Sequence, residues 1–181
     1  MRRCRFPKRY ADFAARLRVP IGFLVVAAFA YFSAPAGRSL ALGIPISTAG
    51  LLLRGWAAGH LAKNERLATS GPYAYTRNPL YIGTLLVAAG LVIASRRVVL
   101  AVIFAAVFAL IYLPVIELEE QHLRKLFPEY AGYAAGVPAL RPRLTAGTGH
   151  ERFSWRLYFR NQEYQAAAGF LAGVLFLLWK V

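Results

Sequence analysis

Glu117, Glu119 and Glu120 crowd the end of an uncharged run that covers residues 98–116. A carboxylate can accept hydrogen bonds from a ligand or help an amine lose its proton. Acids at a helix C-terminus oppose the helix dipole, so helix stability alone does not explain them. The simpler interpretation is a solvated helix end, with Glu120 and Arg124 paired at i, i+4. Carboxylates at the end of an apolar segment that could lie within the membrane instead favour a functional site.

A second polar cluster, GPYAYTRNPLYIG at Gly71–Gly83, precedes another apolar run. Its Gly71-Pro72 pair predicts a turn. Asn78-Pro79 has the form of a helix start, with asparagine as the N-cap and proline at the first helical position. Taken alone, the cluster is typical of a well-capped transmembrane helix with interfacial tyrosines. Because the carboxylates fall on the same predicted side of the membrane, the two clusters together favour a shared site.

The segments TSGPYAYTRNPLYIG and IELEEQHLRKLFPEYAGYAAGVP resemble the isoprenylcysteine carboxyl methyltransferase family and the related phospholipid methyltransferases. The resemblance runs from about His60 to Pro142. It rests on a G-x-Y-x-x-x-R-H-P-x-Y-x-G loop, an apolar helix, and a second motif that begins E-E-x-x-L. It implies an enzyme that holds S-adenosylmethionine inside a helical bundle without a Rossmann domain, and the chain contains no GxGxxG fingerprint.

The resemblance also implies which residues form the site. Glu119 matches the family's cofactor-contacting glutamate and Glu120 lies beside it, which makes these two the candidate catalytic residues. A lipid or lipidated acceptor, entering from the bilayer, is the implied substrate; a carboxylate acceptor needs no general base, whereas an amine must first lose a proton. The implied cofactor-binding residues are His60, Arg66, Leu67, Ala68, Tyr73, Asn78, Pro79, Leu80, Tyr81 and Glu119.

Three positions depart from the family pattern. Asn78 replaces a histidine, and asparagine keeps hydrogen bonding but cannot become cationic. Val115 stands where the prenylcysteine enzymes have a substrate-binding arginine, and Gly136 stands where a basic residue usually precedes Val-Pro. These departures concern the acceptor rather than the cofactor.

Composition places these motifs in a membrane protein. The 181 residues are 58% hydrophobic and only 17% charged, which is typical of an integral membrane chain. We predict one all-α domain, residues 1–181, with about five spans, a motif-bearing core at 60–142, and an interfacial helix plus last apolar segment at 150–181. The last segment is short enough to be a re-entrant or surface helix instead. The five apolar segments are 19–34, 39–58, 80–95, 98–116 and 166–179.

The charge of +14 is concentrated beside these apolar segments. This distribution favours contact with anionic headgroups over nucleic acid binding. Counting lysines and arginines on alternate sides predicts a cytoplasmic N-terminus and cytoplasmic segments 59–79 and 117–165, hence a cytoplasmic cofactor pocket. Residues 151–165 interleave aromatics with arginines, as interfacial helices do. The basic region before residue 19 is long, which favours a retained first helix over a signal peptide.

Other functions remain open at this stage. The single Cys4 excludes a cysteine cluster, and the three histidines lack metal-ligand spacing, so no metal is predicted. One alternative is a membrane reductase that uses NADPH, because some sterol reductases have a similar bundle and pocket. The other is a non-catalytic membrane protein in which the tyrosines form an interfacial belt. Binding of S-adenosylhomocysteine, of NADPH, or of neither distinguishes the three.

Overall fold

A computed structural model describes residues 6–145, 149 and 151–181, and the secondary structure of this part is helical without a strand. The prediction of an all-α fold is confirmed. Three helices, Lys8–Phe32, Gly37–Ala58 and Val98–Leu126, are long and apolar enough to cross a membrane. The helices are α1 Lys8–Phe32, α2 Gly37–Ala58, α3 Pro79–Ser95, α4 Val98–Leu126, α5 Tyr130–Gly136, α6 Trp155–Arg160 and α7 Tyr164–Trp179, and a short 3-10 helix covers Gly71–Ala74.

Glycines allow α2 and α3 to pack backbone against backbone. A Cβ atom added at Gly43 would lie 2.3 Å from the Gly90 carbonyl oxygen, and one at Gly50 would lie 2.6 Å from the Gly83 carbonyl oxygen. Such small residues are the usual means of close helix approach in membranes. Between the two contacts, Ser47 Oγ donates to a carbonyl of α3 at 2.8 Å. The α2–α3 pair is therefore the rigid frame on which the Gly71–Gly83 loop is mounted.

Helix α4 is longer than the sequence indicated and contains a π-helical turn at Phe108–Tyr112. Pro114 has no N–H, so it cannot donate to the carbonyl of Leu110 four residues earlier. The hydroxyl of Tyr10, on α1, donates to that carbonyl at 2.8 Å. This hydrogen bond joins α1 to α4 at the π-helical turn of α4.

The continuation of α4 to Leu126 corrects the prediction that the carboxylates lie at a helix end. Glu117, Glu119 and Glu120 are internal to the helix, and its last turn instead carries Arg124 and Lys125. Basic side chains near a helix C-terminus are favourable to the dipole. The glutamates consequently do not oppose the helix end in the way their position in the sequence suggested.

Helix α7 is attached at both of its ends. Glu163, just before it, forms an ion pair with Arg54 of α2, whose Nη2 donates to Glu163 Oε2 at 3.1 Å. At the other end, Lys180 Nζ donates to the carbonyls of Ala30 and Ser33, each at 2.8 Å, and so caps the C-terminus of α1. Helix α7 therefore extends from the level of Arg54 to the loop between α1 and α2.

Candidate functional site

The predicted site residues gather around one cavity of about 820 Å³. Its walls come from α1, the loop after α2, the Gly71–Gly83 loop, the start of α3 and the second half of α4. All of the residues predicted to contact the cofactor, except His60, line it, and Glu120 lines it as well. The two motifs, separated in the sequence, thus enclose a single space.

His60 lies behind the loop rather than in the cavity wall. Its side chain is buried, with Nδ1 2.9 Å from the Trp56 carbonyl oxygen and its ring edge-on to Phe153. Gly71 passes over the ring with a φ of +56°, and a Cβ there would lie 2.7 Å from the imidazole. Only glycine accepts both that φ and that contact easily. In this structure His60 supports the loop from below.

Glu120 forms a forked ion pair with Arg77, an arginine of the Gly71–Gly83 loop that is not among the predicted site residues. Arg77 Nε donates to Oε1 at 3.0 Å and Nη2 donates to Oε2 at 3.1 Å. The remaining guanidinium nitrogen, Nη1, donates to the carbonyls of Ala134 and Val137, at 2.9 and 2.7 Å. The Glu120–Arg124 pair of the simpler interpretation is therefore not formed, because the carboxylate turns toward the loop and Arg77 is largely buried against it.

Asn78 occupies the N-cap position of α3, as predicted, but its side chain does not cap the helix. Its Nδ2 instead donates to the Ala139 carbonyl at 3.2 Å and to Glu120 Oε1 at 3.4 Å. Thr76 Oγ1 donates to the same Ala139 carbonyl at 2.8 Å. A neutral amide thus joins the loop to the segment after α5, a linking role that needs no positive charge.

Glu119 is the cavity carboxylate that remains accessible. Its side chain is 49% exposed, and its nearest cation is Arg18 of α1, with Nη1 3.7 Å from Oε1. Tyr81 lies beside it on the facing helix. The loose, half-exposed Arg18–Glu119 pair contrasts with the forked pair at the neighbouring Glu120, so the two adjacent acids have different environments.

Three tyrosines complete the polar end of the cavity. The Tyr133 hydroxyl donates to the carbonyl of Tyr73 at 2.7 Å. The Tyr130 hydroxyl is buried and has no hydrogen-bond partner among the described residues. Burial raises the pKa of Tyr130 to about 12, and the nearby carboxylate of Glu120 adds to the shift. Tyr130 is therefore a neutral hydroxyl at pH 7 with a free donor at the cavity wall; its place in the second motif was the available signal.

The opposite wall is apolar and comes from α1. Val19, Gly22, Phe23 and Val26 line the cavity there, and the Phe23 and Val26 side chains are also exposed on the outer surface of the bundle. Position 115 does not contribute, because Val115 is buried in the contact between α1 and α4. The cavity thus joins a polar end near the loop to an apolar side that faces outward.

The described part of the chain contains no candidate metal centre. No group of three histidine, cysteine, aspartate or glutamate side chains in that part could hold an ion together. The expectation of no metal nevertheless stays a prediction.

Residues 44–130 match the family model of phospholipid methyltransferases. This segment contains the whole of the Gly71–Gly83 loop and the three glutamates. The resemblance to integral membrane methyltransferases that was based on those motifs is confirmed. The match agrees with the presence of three helices that are long and apolar enough to cross a membrane.

Curated proteins similar to this chain carry two kinds of name. The chain is 38% identical over 115 residues to the cobalt-zinc-cadmium resistance protein CzcN of Cupriavidus metallidurans, covering 62% of this chain and 52% of the relative. It is 39% identical over 106 residues to the nickel-cobalt-cadmium resistance protein NccN of Alcaligenes xylosoxydans xylosoxydans, covering 58% and 48%. It is 28% identical over 138 residues to the protein-S-isoprenylcysteine O-methyltransferase of Schizosaccharomyces pombe, covering 73% and 58%.

The chain spans about half the length of these curated relatives. No solved structure matches it at a significant level.

Proposed function

We propose that this chain, whose residues 44–130 match phospholipid methyltransferases, transfers a methyl group from S-adenosylmethionine to a lipid or lipidated acceptor. The observation that carries the proposal is the composition of the cavity that the two motifs enclose. It has an accessible carboxylate and a free buried hydroxyl at one end, and at the side an apolar α1 wall whose Phe23 and Val26 are exposed.

The residues of the polar end fit the proposed cofactor. A cavity of about 820 Å³ is in the size range of small-molecule sites, roughly 300–1,000 Å³. The accessible Glu119 suits a cationic ligand, and the neutral Tyr130 hydroxyl can donate a hydrogen bond that nothing in the described protein accepts. S-adenosylmethionine supplies a methyl group that is already activated on a sulfonium. The protein then mainly has to align the acceptor and exclude water.

We assign different roles to the two adjacent glutamates. Glu119 faces the ligand space, so we infer that it contacts the cofactor and, for an amine acceptor, takes the proton. Glu120 is committed to Arg77 and Asn78. We infer that Glu120 is a positioning residue, which holds the loop against α4, rather than a catalytic one.

We infer the position of the acceptor from the residues of α1 that line the cavity. The other arginines that line the cavity have close carboxylate partners: Arg54, Arg66 and Arg77 pair with Glu163, Glu151 and Glu120. Arg18 is held only at 3.7 Å and is directly followed by the apolar residues of the wall. This order fits an amphiphile whose polar group lies near Arg18 and whose chain runs along α1 toward the bilayer.

We further propose five spans with the cavity at the cytoplasmic side. Helices α3 and α7 are shorter than the other three, but α7, at 16 residues and ~24 Å, connects the same two levels as α1 and α2. The argument for the cytoplasmic side remains the distribution of arginine and lysine.

Ligand binding tests the cofactor independently of the acceptor. The purified protein in detergent is titrated with S-adenosylhomocysteine and, separately, with NADPH, and thermal unfolding is followed. We expect stabilisation by S-adenosylhomocysteine alone, because a ligand that binds only the native state must raise its stability. Stabilisation by NADPH alone would establish the reductase alternative. Stabilisation by neither at millimolar concentration would leave a non-catalytic protein.

The acceptor is tested by transfer of a labelled methyl group. The protein, reconstituted in lipid nanodiscs, is incubated with methyl-labelled S-adenosylmethionine and a membrane lipid extract. We expect label in the organic phase, and mass spectrometry then identifies the product. Label confined to water-soluble material would refute the lipid acceptor while leaving the cofactor assignment in place.

A further inference from the structure

A second cleft, which the proposed methyl transfer does not use, lies between the loop after α2 and residues 151–160. Its volume is about 990 Å³, and it shares only Ala62 and Arg66 with the first cavity. We call it the arginine cleft, because its charged lining consists of Arg66, Arg152, Arg156 and Arg160 with Glu65 and Glu151.

Two ion pairs join the sides of the arginine cleft. Arg66 Nη1 lies 2.8 Å from Glu151 Oε2, and Arg160 hydrogen-bonds Glu65. The hydrogen bond from Arg160 holds the pKa of the Glu65 carboxyl below its ordinary value. Both acids are therefore already matched to one arginine each, and neither has spare charge for another cation.

The other two arginines, Arg152 and Arg156, are exposed and have no carboxylate at ion-pair distance within the described part of the chain. Arg156 and Arg160 are at i, i+4 on α6, a spacing at which like charges destabilise a helix. The cleft thus holds two positive charges in excess, which an anion would offset.

Contacts to the end of α2 fix the position of the cleft relative to the membrane. The Ser154 N–H donates to the Gly59 carbonyl at 2.9 Å, and Asn161 Nδ2 donates to the carbonyls of Ala58 and Leu61, at 2.9 and 2.8 Å. A helix of 22 residues is ~33 Å long, close to the ~30 Å hydrocarbon core. The end of α2, and α6 with it, therefore lies at the membrane border.

Aromatic residues of α6 place the cleft beside lipid headgroups. Trp155 and Phe159 are 66% and 58% exposed, and α6 alternates them with its arginines. Exposed aromatics at a membrane border lie at the level of the headgroups. Guanidinium groups bind phosphates through paired hydrogen bonds.

We propose that the arginine cleft binds the phosphodiester headgroup of an anionic phospholipid, with Arg152 and Arg156 as the phosphate ligands. The acyl chains of that lipid lie against the exposed aromatic side of α6. Neither phosphate ligand lines the methyl-transfer cavity, so this proposal is tested separately from the proposed function.

The test measures lipid binding to the purified protein in detergent by native mass spectrometry, with phosphatidylglycerol and phosphatidylcholine as probes. We expect tighter binding of phosphatidylglycerol, and a loss of about thirtyfold in Arg152→Gln/Arg156→Gln. The matched control is Arg96→Gln/Arg97→Gln, which removes the same charge at the other end of the bundle. There we expect a change of less than about threefold.

Several results would overturn the proposal. These are equal binding of the two lipids, an unchanged affinity in Arg152→Gln/Arg156→Gln, or an equal loss in the control. Inorganic phosphate or a single-stranded oligonucleotide that binds as tightly as the lipid would assign the cleft to a soluble anion instead. If the double variant elutes as aggregate, Arg152→Lys/Arg156→Lys replaces it; charge is kept but paired hydrogen bonds are lost, so a severalfold weakening is expected, and no weakening would refute phosphate ligation.

Discussion

At the scale of the residue, the site depends on how differently two adjacent acids are used. Glu119 and Glu120 are ~100° apart on α4. Glu120 points into the loop, where Arg77 offsets its charge and Asn78 donates a hydrogen bond to it, and Glu119 opens into the cavity with Arg18 at 3.7 Å. The carboxylate of Glu120 therefore holds the loop against α4, whereas the carboxylate of Glu119 is available to accept a hydrogen bond from a ligand.

Glu119→Gln is expected to weaken binding of S-adenosylhomocysteine ten- to hundredfold, because losing a charged hydrogen-bond acceptor costs ~1.5–3 kcal/mol. Glu117→Gln is the matched control; residue 117 does not line the cavity, so its effect should stay below about threefold. Calorimetry on monodisperse protein measures both. A larger loss in Glu117→Gln would mean that the cavity face of α4 has been misassigned.

Glu120→Gln is expected to act on the folded state rather than on the ligand. It leaves the largely buried Arg77 guanidinium without a counter-charge, and breaking such a pair costs up to ~3–5 kcal/mol. The melting temperature of the ligand-free protein should fall, whereas Glu119→Gln should leave it nearly unchanged. Equal melting temperatures for Glu120→Gln and wild type would contradict the fastening role.

Sequence reasoning located the cavity lining but not its internal bonds. Residue types and the resemblance were enough to select Tyr73, Tyr81 and Glu119, since the motifs themselves form the walls. The partner of Glu120 depends on how far α4 continues and on which way it faces the loop, which local patterns do not encode. His60 is the exception among the predicted residues, because it lies behind the loop rather than in the cavity wall.

At the scale of the element, one irregularity lies beside the cavity: the π-helical turn of α4 ends at Tyr112, which lines the cavity. The π-helical turn in α4 follows from Pro114, and the bond from Tyr10 to Leu110 compensates for the missing N–H. Pro114 is visible in the sequence, but the long-range hydrogen bond from Tyr10 that compensates for its missing N–H is not. The close α2–α3 pair, by contrast, could have been read from its spaced glycines.

Gly90→Ala is expected to lower the free energy of unfolding by ~1–3 kcal/mol, the usual cost of overpacking. Its new Cβ would lie 2.3 Å from the Gly43 carbonyl oxygen, and a backbone atom cannot rotate away. Gly173→Ala is the control, because a Cβ at that position in α7 meets nothing within 4 Å. Thermal unfolding of the two variants in the same detergent measures the difference. Equal stability would show that α2 and α3 pack less closely than described.

At the scale of the whole molecule, the bundle has two ends with different contents. One end holds the cavity, the Gly71–Gly83 loop and the arginine cleft. At the other, Lys180 meets the Ser33 carbonyl, and the Ala34 N–H donates to the carbonyl of Ser95 at 3.0 Å. The methyl-transfer cavity and the arginine cleft are therefore at the same end of the bundle, so both can face one aqueous compartment.

Cysteine labelling in a Cys4→Ser background tests this arrangement. We expect Lys63→Cys and Glu129→Cys, both exposed at the cavity end, to react with a membrane-impermeant thiol reagent only after access to the cytoplasmic side is given. Arg97→Cys and Val181→Cys, at the other end, should react in intact cells. Because α7 joins the two levels, residue 181 distinguishes a span from a re-entrant helix: reaction of Val181→Cys only from the cytoplasmic side would remove the fifth span. Labelling of Lys63→Cys and Glu129→Cys from opposite sides would be more damaging, since the two walls of the cavity could not then meet.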